Sequence, residues 1–386
     1  MKIQNIRLIM TNNKEKLMLK HIKKLLLILI IIIVITIVVM SYEANIGKNV
    51  FHIAVNPTNG NLAIPSYSTL YSKIVITDNY LNVLRDIPLT QLFYLPYLCE
   101  FSRDGTKLYV CISSMPSKKM AVDVELGKLA IIDTTTWAVD YYNLPLLPMQ
   151  MYVSMQNNIV YIACGLNNGP VLVKIDTSTG QILNSYEYEG CPECGGLTMN
   201  ANETKIYISK GCDRSITDPD GSNERSITNV LVYDSNFAFI KEIETSSSIE
   251  YMINGPDNRI YIAHACYNGE CDNCLTVINT TNDEIEHQLT IPNIAAKRLV
   301  LNMARQCLFF SPLTEQEYYD EELDMNVPEL FPLTSVIKVN LSDWCYSWIN
   351  VANETIGPIA ISPDGCRLYA AAVNTDSQKV YYVDLE

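Results

Sequence analysis

The sequence predicts an all-β chain, a seven-bladed β-propeller preceded by one N-terminal transmembrane helix. Two interleaved sevenfold series predict the blades, and one uniform apolar run predicts the helix. The first series is a polar turn leading into an apolar-aromatic strand: NGNLAIP (59–65), DGTKLYVC (104–111), QNNIVYIAC (156–164), NETKIYIS (202–209), PDNRIYIA (256–263), RQCLFFS (305–311) and DGCRLYAA (364–371). Its aligned residues are Ala63, Tyr109, Tyr161, Tyr207, Tyr261, Phe309 and Tyr369. The second series is a strand ending in Asp or Asn: IVITD, LAIID, LVKID, VLVYD, LTVIN, VIKVN and VYYVD, closing at Asp78, Asp133, Asp176, Asp234, Asn279, Asn340 and Asp384. Units of this length carrying several short strands are the signature of propeller blades. Asp-Gly and Asn-Gly permit the positive φ of tight hairpin turns. The β-branched and aromatic residues that flank them suit pleated, half-buried strands.

The N-terminal segment reads differently. Residues 1–24 hold seven of the chain's 28 Lys/Arg and one of its 42 acidic residues. Then comes LLLILIIIIVITIVVM, Leu25 to Met40, with no charge, Pro or Gly. As a helix it rises roughly 24 Å, a little short of a ~30 Å hydrocarbon core, with Ser41 available to extend it. A cleavable signal peptide is the competing reading, but VVMSYEA carries no clear small-x-small site. The expected layout is a cytoplasmic basic segment (1–24), a transmembrane signal anchor (25–41) and an extracytoplasmic propeller (42–386), with the chain in the cell membrane as a single-pass protein. From Tyr42 onward 21 basic residues face 41 acidic ones, net −20. A body that acidic repels phosphate backbones, which argues against nucleic acid as a partner.

The stretches SRDGTKLYV (102–110), ISPDGCRLYA (361–370) and LAIIDTTTWAV (129–139) resemble the YVTN-type seven-bladed propeller repeat family, the group that includes quinoprotein amine dehydrogenase-like and lactonase-like propellers. The resemblance covers essentially residues 43–386 and implies the fold; the family's functions are scattered. The seventh blade reaches Glu386 with only its third strand in place, so EANIGKNV (43–50) is expected to supply the fourth and close the ring. Loops between second and third strands, together with the blade-to-blade connections, then share the face opposite the anchor.

That outward face is expected to carry the long loops 211–229 and 311–334, with GCPECGG (190–196) and HACYNGECDNC (264–274) beside them. The H-x-C-x₄-C-x₂-C spacing of the last fits three chemistries. Twelve cysteines outside a membrane are expected to pair, so the first expectation is loop stapling by disulfides among Cys191, Cys194, Cys212, Cys266, Cys271 and Cys274. A zinc site from His264, Cys266, Cys271 and Cys274 is the weaker reading, and a redox CxxC weaker still, for want of a helix N-terminus to activate it. Cys99 and Cys111, on paired strands, read as buried apolar fillers. Calcium on the acidic loops, including Asp218, Asp220 and Glu224, competes with a plain solvated face. No cofactor is favoured.

Catalytic signatures are thin: no GxSxG, P-loop or HExxH occurs, and the histidines are His21, His52, His264 and His287. The function expected is therefore a membrane-anchored, non-catalytic binding module. Its outward loops, through Tyr267, Tyr318, Tyr319, Asp320, Glu321 and Glu322, take a protein or glycan partner. The alternative implied by the resemblance is an extracytoplasmic lactonase-like hydrolase with a metal in the central channel.

Overall fold

The computed structural model describes residues 43–47, 50–67, 72–89, 94–114, 127–165, 169–188, 195–210, 216–217, 224–225, 228–245, 248–265, 273–292, 294–320, 325–352, 354–372 and 378–385. The chain divides into two compact units, Met1–Glu43 and Ala44–Glu386. The second is a seven-bladed β-propeller. Blade one runs outward through Ala54–Val55, Leu62–Tyr67, Ser72–Thr77 and Val83–Leu89. Blades two to six repeat this four-stranded antiparallel order, with innermost strands Tyr94–Phe101, Leu147–Val153, Leu197–Met199, Ser248–Asn254 and Ala295–Asn302. Blade seven runs Ile356–Ile361, Arg367–Ala372 and Gln378–Asp384, and its outermost strand is Glu43–Gly47. The expected closure by the first strand of the chain is therefore what forms. Each innermost strand contacts that of the next blade, and the seventh returns to the first.

Period-two alternation explains why the second and third strands read as nearly continuous apolar runs. Each blade is covered on both faces. In Lys107–Ser114, Leu108, Val110 and Ile112 pack against blade one, while Tyr109 and Cys111 pack against blade three. Seven apolar clusters result, one at each junction between neighbouring blades. The recurrent aromatic always faces the following blade: Tyr207, Tyr261, Tyr369 and Phe309 are fully buried there. In three blades its hydroxyl latches onto the next blade's outer turn. Tyr109 Oη meets Thr177 Oγ1 at 3.1 Å, Tyr207 donates to Asp283 at 2.5 Å, and Tyr369 donates to the Asn79 carbonyl at 3.2 Å.

The Asp/Asn series closes the outer turns. Side-chain oxygens of Asp78, Asp133, Asp176, Asp234, Asn279 and Asn340 accept from backbone N–H groups two to four residues on, the Asx-turn geometry. Each of these turns carries a left-handed residue: Leu81, Trp137, Gly180, Phe237, Asp283 and Trp344. The large side chains plug the junction with the preceding blade, as Trp344 does by stacking on His287 at 3.9 Å. Gly180 is the exception because Tyr142 of blade two already fills that place; a Cβ would lie 1.7 Å from its ring.

Among the described residues two insertions leave the regular blades, both between second and third strands. One is the short hairpin Ile216–Thr217 with Glu224–Arg225 in blade four. The other is in blade six, where the second strand continues as Cys307–Asp320 and pairs from Leu313 onward with Met325–Pro332. Both hairpins thus fall between second and third strands, where the repeats place long connections.

The membrane-spanning helix is not upheld. Among the described residues no helix is long and apolar enough to cross a membrane, and the one helix is the 3₁₀ turn Met303–Arg305. Residues 25–41 lie outside the described residues. Sixteen residues dominated by β-branched Ile and Val fall short of the roughly 20 a span needs, and such residues are weak helix formers. With the anchor go the membrane as a partner, the single-pass topology and the assignment of the two units to opposite sides of a membrane.

A candidate ligand pocket in the central channel

The innermost strands are not regular. In five blades a β-bulge interrupts the pairing with the second strand, between Pro96 and Leu98, Pro148 and Gln150, Ile249 and Tyr251, Ala296 and Arg298, and Ile356 and Ile359. A bulge bends the strand and re-aims side chains. Polar residues occupy these segments in a core that is otherwise apolar: Gln150, Glu250, Tyr251, Lys297 and Arg298.

Five of the blades converge on one cavity of about 190 Å³. Its polar wall is His52 from blade one, Glu100 from blade two, Tyr251 from blade five and Arg298 from blade six; Ile53, Leu299, Val300 and Ile359 are among its apolar lining. His52 Nε2 lies 3.8 Å from Glu100 Oε1, and the Cys99 sulfur lies 3.9 Å from His52 Nδ1. The Arg298 guanidinium sits over the Tyr251 ring, 4.6 Å from its centroid. Such stacking suits a planar, weakly hydrated cation. Arg298 is only 9% exposed, and its Nη1 is buried without a hydrogen-bond partner.

Burial dominates the proton equilibria here. It pushes Glu100 up to about 7, with Arg298 acting in the opposite sense. It pulls His52 down to about 3, and Arg298 adds to that shift. At neutral pH His52 is therefore neutral and Glu100 only partly ionised, so their contact is not a pair of opposite charges. Tyr251 is raised to about 12 by burial and stays protonated. The Cys99 thiol is raised well above its ordinary value by burial, so it is not an activated nucleophile. One turn along, burial raises Glu250 and lowers Lys297, each opposed by the other's charge. The pocket offers a fixed cation, a neutral imidazole, a carboxyl that can carry a proton, and an apolar wall.

None of these channel residues stands out as a motif. Alignment on the turn residues Asn56, Ser102, Ser154, Asn200, Asn254, Asn302 and Ser362 exposes His52 and Arg298, and does not reach Glu100 or Tyr251. Four positions earlier lie His52, Gln150, Glu250 and Arg298, polar where the strand is otherwise apolar.

The residues singled out from sequence fare differently. Cys191, Cys194, Cys212, Cys266, Cys271, Tyr267, Glu321 and Glu322 lie outside the described residues. Asp218 and Asp220 do too, while Glu224 lies on the short blade-four hairpin. Tyr318, Tyr319 and Asp320 occupy the blade-six hairpin, in register with Val327, Asn326 and Met325. His264 is fully buried with Nε2 2.8 Å from Thr276 Oγ1, and Cys274 Sγ donates to the Leu289 carbonyl at 3.2 Å within the junction of blades five and six. Burial raises the Cys274 thiol to about 12.

Disulfide stapling is corrected for the described cysteines. Cys99, Cys111, Cys164, Cys274, Cys307, Cys345 and Cys366 are free thiols, the first five buried as apolar side chains. Cys274 is thus a core residue where a loop staple was expected. The metal-dependent hydrolase is corrected as well, since no group of three or more His, Cys, Asp or Glu among the described residues is placed to hold a metal ion.

Fold and pocket together define a seven-bladed propeller with a polar recess in its channel. No protein-family model matches the chain, and no curated protein matches it in sequence. Solved structures do. The chain is similar to one in the crystal structure of a mitotic checkpoint complex, at 10% identity, TM-score 0.61, over 89% of this chain and 90% of that one. It is similar also to Kuenenia stuttgartiensis hydrazine synthase, at 13% identity, TM-score 0.61, over 89% of this chain and 98% of that one. At such identities the likeness concerns the fold alone.

Proposed function

We propose that this chain is a non-catalytic binding propeller that engages a protein partner through the hairpin of blade six. Within propellers, we place its repeats with the YVTN type, supported by the Asp-Gly turns and following strands of SRDGTKLYV and ISPDGCRLYA. The observation that carries the reading is the hairpin itself. Beyond Leu313, the strands Cys307–Asp320 and Met325–Pro332 pair with each other and leave the four-stranded blade. A two-stranded ribbon on a rigid scaffold presents backbone edges of the kind that accept an added strand. Its sequence adds Tyr318 and Tyr319 with Glu315, Glu317, Asp320 and Glu329, a composition suited to a basic protein surface. The non-catalytic reading is supported by the protonated Cys99 thiol and the neutral His52 imidazole, which offer no activated nucleophile.

The test replaces residues 314–331 by a two-residue turn and compares crosslinked partners of the intact and shortened chains in their native cells. A partner held by the intact chain and lost by the shortened one supports the assignment. Equal capture by both, with the same thermal midpoint, removes it.

A further inference from the structure

We propose that the channel pocket bounded by His52, Glu100, Tyr251 and Arg298 binds one small monocarboxylate, its carboxylate group on Arg298 and its apolar body against Ile53 and Ile359. This inference stands apart from the hairpin reading and uses none of the same residues.

The first argument is the unmet donor. Buried polar groups in native proteins are nearly always hydrogen-bonded, and a charged one left alone is costly. Other arginines of this chain obey that rule. Arg259 is paired with Asp257 and Glu286, and Arg367 with Asp384 and the Asn79 carbonyl. Arg298 departs from it: among the described residues it is the cationic side chain with a buried nitrogen lacking a partner, and that side chain lines a cavity. A guanidinium presents a planar fork that matches a carboxylate oxygen for oxygen.

Size and charge narrow the ligand. The cavity of about 190 Å³ has room for roughly six waters at ~30 Å³ each, hence for a ligand of about that many non-hydrogen atoms. One fixed cation stands opposite a carboxyl that ionises near neutrality, so a second negative charge on the ligand would meet Glu100. That favours a monoanion over phosphate. The apolar residues on the remaining wall favour a short aliphatic body over a polar one.

Binding is then linked to a proton. The groups facing Glu100 are His52 from blade one, Arg298 from blade six, Tyr251 from blade five and Cys99 on its own strand. His52 is neutral and Tyr251 protonated across the neutral range, so Glu100 is the group that titrates. An incoming carboxylate favours its protonated form, and affinity rises as pH falls from about 8 to about 6.

The experiment is calorimetric titration of the full chain with acetate, isovalerate, benzoate and inorganic phosphate, each up to about 20 mM, a range that captures millimolar affinities. The expected result is saturable 1:1 binding of isovalerate, tighter at pH 6 than at pH 8, with benzoate and phosphate weaker. Arg298→Met is expected to lose about tenfold or more of the affinity, and Arg298→Lys to recover part of it, with folding checked by circular dichroism. Should Arg298→Met not fold, Glu100→Gln decides: it is expected to bind carboxylate with little pH dependence. The proposal is overturned if no carboxylate in the panel saturates the wild-type chain. Equal affinity in a folded Arg298→Met variant, or an unaltered pH dependence in Glu100→Gln, overturns it too.

Discussion

Asp283 ties blade four to blade five, and replacing it measures what one such latch contributes. Its side chain is 8% exposed; Oδ1 accepts from Tyr207 Oη at 2.5 Å and Oδ2 from Lys205 Nζ at 2.6 Å. Its backbone carbonyl accepts from Lys241 Nζ at 2.8 Å and survives substitution. Asp283→Ala strands the Tyr207 hydroxyl in a fully buried position, at about 1–3 kcal/mol. Lys205 is 23% exposed and keeps the Thr280 carbonyl at 3.1 Å, so its loss is smaller, about 1 kcal/mol. Asp283 also sits at φ 57, where alanine adds roughly 1 kcal/mol of backbone strain and Asn does not. The expected cost is therefore about 3–5 kcal/mol for Asp283→Ala and about 1 kcal/mol for Asp283→Asn, which keeps an acceptor for Tyr207. Guanidinium unfolding with a shared slope gives both values. A double-mutant cycle with Tyr207→Phe should show coupling of about 1–2 kcal/mol. A cost under about 1 kcal/mol for Asp283→Ala, or no coupling, would refute the view that the latch joins the blades energetically.

Other tests address the channel and the thiols. Glu100 has a folded pKa of about 7 against an ordinary 4.5, so the folded state binds the extra proton and stability falls as pH rises through that window. Glu100→Gln is expected to stabilise above pH 7, by about 1 kcal/mol once the 40% accessibility of the side chain is allowed for, and to be near neutral below pH 4.5. His52 is depressed to about 3 from 6.5 and works in the opposite sense, adding stability as pH rises over that interval. Thermal midpoints of Glu100→Gln should therefore climb more steeply than wild type between pH 4.5 and 6.5; parallel curves would contradict the assignment. In the folded chain, Cys345 and Cys366 should label with a thiol reagent, while Cys99, Cys111, Cys164, Cys274 and Cys307 label only after unfolding. Peptide mapping by mass spectrometry reads this directly, and rapid native labelling of Cys111 would count against the packing between blades two and three.

The blade count, the turn chemistry and the closing strand could all be read before any coordinates. The first two depend on residues close together in the chain, such as Asp133 with Thr135 and Thr136 or Gly105 between Asp104 and Thr106, and the third follows from the count, since a seventh blade ending on its third strand leaves an edge to be filled. Such local preferences act in the same way wherever they recur, so seven repetitions are visible as a pattern. The anchor rested on an apolar run and the basic residues before it, and a run of that length stands at the short end of what a membrane span needs. The cysteines near 264–274 misled, because spacing suggested a common role whereas Cys274 belongs to the core between blades five and six.

Sequence alone determined the strand-and-turn repeat, because hydrogen-bonding side chains and period-two apolar alternation act over a few residues. Only the tertiary structure decided the pocket. His52, Glu100, Tyr251 and Arg298 belong to four different blades, and no local rule relates them. They meet because closing the ring brings the innermost strands together, and the bulges of blades two, five and six set which of their side chains turn toward the axis. Burial in that recess then sets the protonation of His52 and Glu100 and leaves Arg298 Nη1 without a hydrogen-bond partner.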